Sequence, residues 1–353
     1  MRVLVCTWKD LAHPRAGGAE VWTHGVTSAW AAEGHDVTIA CSTAPDLAPR
    51  EWRNGVEIVR GGDYRLGVHA HARRLYDKRH GKFDLVVDEI NTRPFLAPRW
   101  ADRSHVVAFV HQVAREVWFH ETPLPVALLG RYVLEPRWLR AYRDVPVLTA
   151  SRSTVESLRD YGLTHAVALS QGTEPLTRPH VPKEHAPTFV FVGRLCSMKR
   201  PLDAVRAVRA VQREVPDARL WIVGSGPQES ALRRHCGDGI TLLGSLGAAS
   251  RNDAMARAHA LVCTSVREGW GLVVSESAAL GTGAVGYSVA GLVDSIGATG
   301  GQLVEANVDA LAAALLPIAR DPARAPQPTG TGTVSFAAVA RELLYAAEVT
   351  ARA

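Results

Sequence analysis

Two acidic residues, Glu268 and Glu276, lie eight positions apart in the segment REGWGLVVSE of residues 267–276. Glu268 falls in a glycine-rich loop, and Glu276 falls in the first turns of the helix predicted to follow. Carboxylates accept hydrogen bonds from adjacent hydroxyls, which are the groups that a sugar ring and a ribose present. Two unrelated surface acids are a poorer explanation, because the flanking residues are nearly all apolar or glycine. The spacing therefore indicates a site for a polyhydroxyl ligand.

Two cations mark a second candidate site, after the predicted strand 188–193. Arg194 and Lys199 bracket the turn that leads to Pro201, which suits an early position in the next helix. A guanidinium offers a planar fork of donors and an ammonium a point charge, and together they suit a diphosphate. Lys199 is also one of only five lysines in the chain. Taken alone, the pair would fit a solvated surface slightly better than a binding site.

Two glycine motifs also follow predicted strands. Gly17 and Gly18 open a helix, where free backbone N–H groups and the helix dipole favour an anion. Gly224 and Gly226 hold a similar place later in the chain, where they could line a nucleotide. Neither motif is a Gly-x-Gly-x-x-Gly fingerprint, because the third glycine position of the later one is Glu229. The first motif fits an anion site about as well as an ordinary loop, and no dinucleotide is indicated.

A histidine, His111, ends the predicted strand 105–110 and is followed by Gln112. A histidine at the C-terminal end of a strand can form a hydrogen bond with a polar ligand. In isolation, a structural role is the better explanation of this residue.

The elements that must position these residues alternate between short apolar runs and amphipathic helical patterns. The apolar runs lack polar alternation, which is typical of strands covered on both faces. They are residues 2–7, 36–41, 56–59, 83–88, 105–110, 146–150, 166–170, 188–193, 218–223, 240–243, 259–264 and 283–286. The predicted helices are residues 18–33, 68–80, 124–142, 152–161, 201–214, 228–236, 250–258, 272–281, 308–320 and 335–351. This order predicts an α/β protein with two doubly wound, Rossmann-like parallel sheets.

A break in this pattern divides the chain nearly in half. Residues 171–187 contain four prolines and no apolar run, so we expect an interdomain linker there. An N-terminal domain over 1–170 and a C-terminal domain over 188–333 then face a crevice, with a last helix within 334–353. Ligands of such sheets bind at the C-terminal ends of the strands.

Composition excludes several classes of protein. Of 353 residues, 47% are apolar and 21% charged, which is ordinary for a globular protein and rules out wholesale disorder. The net charge of +5 is spread evenly over both halves, so it is weak evidence for a nucleic-acid partner. The five cysteines are scattered, which indicates neither a disulfide framework nor a zinc site. With no signal peptide or apolar run long enough to span a membrane, we expect a cytoplasmic protein, with peripheral contact on the inner face of the membrane left open.

Together these motifs make the chain resemble the retaining, nucleotide-sugar-dependent glycosyltransferases of family 4, which have the GT-B fold. The resemblance runs essentially end to end, and the Glu-x7-Glu element combined with the Arg/Lys pair is its most specific part. It departs from the family pattern at Trp270, where phenylalanine is more usual, and at the linker start, Ser170-Gln171-Gly172-Thr173. These departures leave the fold interpretation intact but leave the donor sugar open.

The resemblance implies roles for matching residues. Arg194 and Lys199 would neutralise the donor diphosphate, Glu268 would bind sugar hydroxyls, and Glu276 would bind the ribose. His111 would face the donor sugar. The residues implied to contact the donor through their backbone or to line its site are Gly17, Gly18, Gly193, Gly224, Gly226, Gly269, Trp270, Gly271 and Leu272.

The implied reaction is transfer of a hexose-like sugar from a nucleoside diphosphate, most often UDP or GDP, to an acceptor hydroxyl with retained configuration. The resemblance implies no cofactor beyond the donor as co-substrate. No Asp-x-Asp sequence is present, so we expect the enzyme to be independent of metal. The acceptor is a glycan, lipid or small molecule, and cell-envelope synthesis is the leading context. The alternatives are a transferase for a specialised metabolite, a sugar-nucleotide epimerase, and a non-catalytic nucleotide-sugar binding module.

Overall fold

The computed structural model describes residues 1–64, 67–79 and 82–351, and they form two units. Unit 1 comprises Met1–Arg115, Leu124–Glu174 and Thr333–Ala353. Unit 2 comprises Glu116–Pro123 and Pro175–Gly332. The predicted linker is therefore divided, because residues 171–174 lie with unit 1 and 175–187 with unit 2. Residues 116–123 belong to unit 2 although both of their neighbours along the chain belong to unit 1.

Strands and helices are numbered along the chain. The strands are β1 Arg2–Cys6, β2 Asp36–Cys41, β3 Arg50–Arg53, β4 Val56–Arg60, β5 Leu85–Ile90, β6 Val106–Val110, β7 Val147–Thr149, β8 Val167–Ala168, β9 Thr188–Val192, β10 Arg219–Val223, β11 Ile240–Gly244, β12 Ala260–Cys263, β13 Ala284–Tyr287 and β14 Gln302–Val304. The α-helices are α1 Gly18–Ala32, α2 Gly67–Lys78, α3 Val117–Glu121, α4 Leu124–Leu129, α5 Glu135–Leu139, α6 Arg152–Arg159, α7 Pro201–Gln212, α8 Glu229–Arg233, α9 Ala248–Arg257, α10 Leu272–Ala279, α11 Leu292–Thr299, α12 Val308–Arg320 and α13 Phe336–Ala351.

Unit 1 contains an eight-stranded sheet in the order β3-β4-β2-β1-β5-β6-β7-β8. All neighbours pair in parallel except β3 and β4, which form an antiparallel hairpin at the edge. Strands β1 and β5 are neighbours in the sheet, and the chain builds the sheet outward in opposite directions from them, so the strand order reverses at this point. Loops at such a reversal point form the ligand site of open α/β sheets. The Gly17–Gly18 loop leaves β1 at this point.

Unit 2 contains a six-stranded parallel sheet in the order β11-β10-β9-β12-β13-β14. Strand order reverses here between β9 and β12, which pair directly through Phe189 with Ala260 and Val190 with Leu261. The residues of these strands are almost fully buried, as their unbroken apolar sequences predict. The loops after β9 and β12 are those that carry Lys199 and Glu268.

Several elements differ from the sequence-based expectation. The long helix expected over 124–142 is a series of short helices, with a π-helical turn at Gly130–Leu134 between α4 and α5. Strand β3 was not expected, because its residues REWR are polar and it lies on the sheet edge. The parallel sheets are confirmed, and α13 lies with unit 1, where the Trp30 Nε1–H donates to the Ala340 carbonyl.

Candidate functional site

The loop after β9 and the loop after β12 bring a cation and an anion together in unit 2. The Lys199 ammonium and Oε1 of Glu268 form an ion pair, and both side chains are mostly buried. Oε1 of Glu268 also accepts a hydrogen bond from the Ser265 hydroxyl at 2.6 Å. The Thr264 hydroxyl joins the loops again by donating to the carbonyl of Lys199 at 2.8 Å. The sequence predicts that both charged residues serve one ligand, and the structure places them in contact.

Helix α10 begins directly after Glu268 and supplies backbone donors. Gly271 is its N-cap and adopts a left-handed conformation at φ 90°. The backbone N–H groups of Gly269, Trp270, Gly271 and Leu272 have no acceptor among the described residues. Unpaired N–H groups at a helix N-terminus, together with the helix dipole, favour an anionic ligand.

Trp270 is fixed by the helix that follows it. Its indole N–H donates to the Ser275 hydroxyl at 3.0 Å. The hydroxyl of Ser275 is itself buried. Trp270 therefore ties the acidic loop to the first turn of α10.

Arg194 and Glu276 occupy different settings within unit 2. Arg194 is exposed and forms no ion pair within the described ranges, so its guanidinium is available to an anion. Glu276 is mostly buried on α10, and its Oε1 lies 3.6 Å from a guanidinium nitrogen of Arg251. Arg251 on α9 is a site neighbour that the sequence analysis missed, because only folding brings α9 beside α10.

Glycines allow the loops after β9 and β10 to pack closely. A Cβ atom added to Gly224 would lie 1.9 Å from the Gly193 carbonyl oxygen, and one added to Gly226 would lie 2.5 Å from that of Leu195. The same loops exchange backbone hydrogen bonds, including Leu195 N–H to the Ser225 carbonyl at 2.9 Å. These glycines thus shape the loop that carries Arg194.

The glycine loop of unit 1 is closed by a glutamate that the sequence analysis did not assign. Oε2 of Glu20 accepts the Gly17 N–H at 2.6 Å, and its Oε1 lies 2.9 Å from the Lys9 ammonium. The expectation that both glycine N–H groups face a ligand therefore needs correction for Gly17, because Glu20 at the third helical position takes that donor. The N–H groups of Gly18 and Ala19 have no acceptor within the described residues.

A buried ion pair fixes the rest of this loop. Arg60 donates to both carboxylate oxygens of Asp10, at 3.2 and 2.6 Å, and both side chains are fully buried. Burial favours the neutral form of Asp10, but the hydrogen bonds and charge of Arg60 lower its pKa below the ordinary value. The bidentate contact anchors the loop between β1 and α1 to β4.

His111 lies in a buried aromatic setting next to a carboxylate. Its Nε2 lies 3.3 Å from Oε2 of Glu89, and its ring meets those of Trp22 and Phe109 edge-on. The Thr23 hydroxyl donates to Glu89 at 2.7 Å. Glu89 is the next-to-last residue of β5 and pairs with Phe109 on β6, so the order of strands in the sheet, which the sequence does not show, brings it to His111.

No group of three or more His, Cys, Asp or Glu side chains that could hold a metal ion occurs among the described residues. Within the same ranges, no helix is long and apolar enough to cross a membrane.

Two family models match this chain. A model described as Glycosyltransferase Family 4 matches residues 16–170, and one described as Glycosyl transferases group 1 matches residues 186–321. The chain belongs to the family 4 glycosyltransferases. The first model covers every strand of the unit 1 sheet except β1, the second covers the whole sheet of unit 2, and the two together span most of the length of this glycosyltransferase.

Similar proteins cover this glycosyltransferase almost completely. A glycogen synthase from Mycobacterium tuberculosis is 27% identical over 92% of the chain and 87% of its own length. A sucrose-phosphate synthase structure from Thermosynechococcus elongatus has a TM-score of 0.73 at 20% identity, covering 99% of this chain and 96% of that one. The structure of HepE from Anabaena in complex with UDP-glucose has a TM-score of 0.68 at 14% identity, covering 100% and 98%. The two structures show the GT-B fold, as predicted.

Proposed function

We propose that this glycosyltransferase moves a sugar from a nucleoside-diphosphate sugar to an acceptor hydroxyl with retention of anomeric configuration. The observation that carries the proposal is the joined pair of Lys199 and Glu268 at the strand-order reversal of unit 2. A cation for phosphate and a carboxylate for hydroxyls are thereby held beside the unpaired N–H groups at the start of α10. This combination suits a ligand that carries both a diphosphate and a sugar.

In the proposed reaction, the bond from the anomeric carbon to the diphosphate oxygen breaks as the acceptor oxygen bonds to the same face of that carbon. The acceptor proton passes to the departing phosphate oxygen, so no protein nucleophile is required. Arg194, Lys199 and the N-terminus of α10 oppose the charge that develops on the diphosphate. Glu268 accepts hydrogen bonds from sugar hydroxyls, and Glu276 is assigned to the ribose.

The donor is tested by incubating the protein with UDP-, GDP-, ADP- and TDP-sugars and measuring slow donor hydrolysis. This needs no knowledge of the acceptor, and UDP or GDP is the expected nucleotide. Because protein cations are proposed to neutralise the diphosphate, we expect the same rate of donor hydrolysis with and without EDTA. A loss of activity in EDTA that magnesium restores would refute metal independence. Conversion of UDP-GlcNAc to an epimer without acceptor would instead favour an epimerase. Nucleotide binding with no turnover of any donor, even with candidate acceptors, would favour a binding module.

We propose that the acceptor is anchored in a lipid membrane, a setting that fits the expected role in cell-envelope synthesis. The observation that supports this proposal is an apolar surface on α4 and the π-helical turn that follows it. The large apolar side chains exposed there are Leu124, Val126, Leu128, Leu129, Tyr132 and Val133. The exposed Arg137 and Arg140 follow directly. Exposed apolar side chains beside arginines suit the interface of an anionic membrane.

Sedimentation with vesicles of phosphatidylglycerol at low salt tests the membrane proposal. Binding is expected for the wild type and should fall at least about tenfold for the pair Leu128→Ser and Leu129→Ser, since each buried apolar side chain is worth roughly 1.5–3 kcal/mol. No binding of the wild type would refute the proposal. A soluble acceptor, as for a transferase acting on a specialised metabolite, would then be favoured.

A further inference from the structure

The short segment 116–123 packs against the loop that carries Lys199. It contains helix α3, and its Val117 forms a buried apolar cluster with Cys196 and Met198. Both of these partners belong to the loop between β9 and α7. The sequence gives no sign of this contact, because Val117 and Cys196 are far apart along the chain.

One end of α3 holds the peptide group next to Lys199. Oε1 of Glu121 accepts a hydrogen bond from the Met198 N–H at 3.0 Å. The carbonyl of Met198 in turn accepts the N–H of Val266 at 2.8 Å, from the loop that carries Glu268. Met198 is therefore fixed on both sides, by the 116–123 segment and by the acidic loop.

The other end of the segment holds the residue next to Glu268. Nε of Arg267 donates to Oε2 of Glu116 at 3.0 Å, and the Arg267 side chain is only 9% exposed. A buried guanidinium is costly without a nearby negative charge. The carboxylate of Glu116 thus stabilises the buried conformation of Arg267. The position of Arg267 in turn helps to fix the backbone of Glu268, the next residue in the loop.

The segment starts from a turn with a fixed and unusual backbone. Arg115 has φ 41°, a left-handed conformation that non-glycine residues rarely adopt. The buried Glu135 carboxylate accepts the N–H groups of Ala114 and Arg115, at 2.6 and 3.1 Å. The Arg115 guanidinium lies 2.9 Å from Asp160. Strained residues persist where surrounding contacts hold them, and these contacts hold Arg115 in its left-handed conformation.

We infer that Glu116 and Glu121 are positioning residues for the proposed donor site. Each carboxylate holds the immediate neighbour of a ligand-binding residue, Glu121 beside Lys199 and Glu116 beside Glu268. Loss of either contact lets its loop move, and a displacement of about 1 Å from the productive geometry can reduce turnover up to about 100-fold. The inference rests on the proposed function, because it assigns these residues to the same site.

Glu121→Ala, Glu121→Gln and Glu116→Ala variants test the inference, with kcat and KM measured for hydrolysis of the donor sugar that the wild type consumes. We expect Glu121→Ala and Glu116→Ala to lower kcat about tenfold with a melting temperature close to the wild type. Glutamine keeps an acceptor oxygen for the Met198 N–H, so Glu121→Gln should restore kcat to within about threefold. A purely structural role would instead lower stability without this rescue.

Glu214→Ala is the matched control for Glu116→Ala. Glu214 pairs with Arg320 in unit 2 and its side chain is 51% exposed, against 52% for Glu116. Unchanged kcat in the two alanine variants, or an equal loss in the Glu214→Ala control, would overturn the inference while leaving the proposed function intact. So would an equal loss in Glu121→Gln and Glu121→Ala. A wild type that binds neither UDP nor GDP and consumes no donor would refute the proposed function, and this inference with it.

Discussion

The contact between Lys199 and Glu268 is the residue-scale feature from which the proposed chemistry follows. The sequence predicts each of them as a ligand residue, from the Arg/Lys pair and from the Glu-x7-Glu spacing. It does not predict that they touch, because the two residues are 69 positions apart along the chain and follow different strands, β9 and β12. Only the order of strands in the sheet makes those loops neighbours. Glu89 escaped prediction for a similar reason, because the pairing of β5 with β6 brings it to His111. Glu20 stands only three residues after Gly17, but its side chain was given no role.

Asp88 is expected to make the stability of the protein depend on pH. Its buried carboxylate accepts hydrogen bonds from the Phe95 and Ala97 N–H groups and from the Tyr142 hydroxyl. Burial raises its pKa to about 6 despite these hydrogen bonds. Between its ordinary pKa of about 4 and about 6, the folded state binds more protons than the unfolded state, so this residue's contribution to stability falls as pH rises.

An Asp88→Asn variant should lose this pH dependence. Relative to the variant, the wild type is expected to gain on the order of 2 kcal/mol of unfolding free energy as pH is lowered from 7 to 4. Urea unfolding of both proteins at several pH values measures the difference. A difference that stays constant, or that changes in the opposite direction, would contradict the assigned protonation of Asp88.

At the scale of elements, Lys183 ties the segment after unit 1 to the ends of two helices. Its ammonium donates to the Ala258 carbonyl at 2.6 Å, to the Gly281 carbonyl at 3.2 Å and to the Thr282 hydroxyl. Ala258 is the C-cap of α9, and Gly281 follows α10. A cation at helix C-termini satisfies carbonyls that lack helical partners and favours the dipole.

Lys183→Met should therefore destabilise unit 2 by about 1–3 kcal/mol, because methionine removes the ammonium that donates to these three acceptors. Chemical denaturation gives the magnitude, and Lys78→Met is the control, since Lys78 is exposed on α2. Equal stability of the Lys183 and Lys78 variants would show that the contact contributes nothing measurable.

Most elements could be predicted because buried parallel strands have unbroken apolar sequences. Helix α12 was predicted at its observed bounds, 308–320. In the structure Asn307 is its N-cap. Strand β3 and helix α3 were missed for physical reasons. The edge strand has a polar sequence, and a five-residue helix has too few turns to show a period.

At the scale of the whole molecule, the chain returns to unit 1 through α13. The Phe336 ring fills space above two glycines, because a Cβ atom on Gly25 or Gly172 would lie 2.3 or 2.4 Å from it. The amphipathic sequence predicts this helix. It does not predict where the Phe336 ring packs, because the glycines beside the ring come from α1 and from the predicted linker, which only the fold brings together.

Phe336→Ala should destabilise unit 1 by about 3–5 kcal/mol, the usual cost of removing a buried phenylalanine. Its ring is almost fully buried, whereas Tyr345 on the same helix is 70% exposed. Tyr345→Ala is therefore a control expected to have wild-type stability. Thermal unfolding distinguishes the two, and similar melting temperatures for both variants would contradict the packing of α13 described above.

The proposed donor site lies in unit 2, and Lys199 is the residue through which it is tested most directly. The decisive measurement is the rate of nucleoside diphosphate release from the donor sugar that the wild type consumes, compared with Lys199→Ala and with Lys78→Ala as the control. We expect wild-type turnover in the control and a loss of at least about 30-fold in Lys199→Ala, equivalent to about 2 kcal/mol of transition-state stabilisation. Equal rates for Lys199→Ala and the wild type would contradict the proposed donor site.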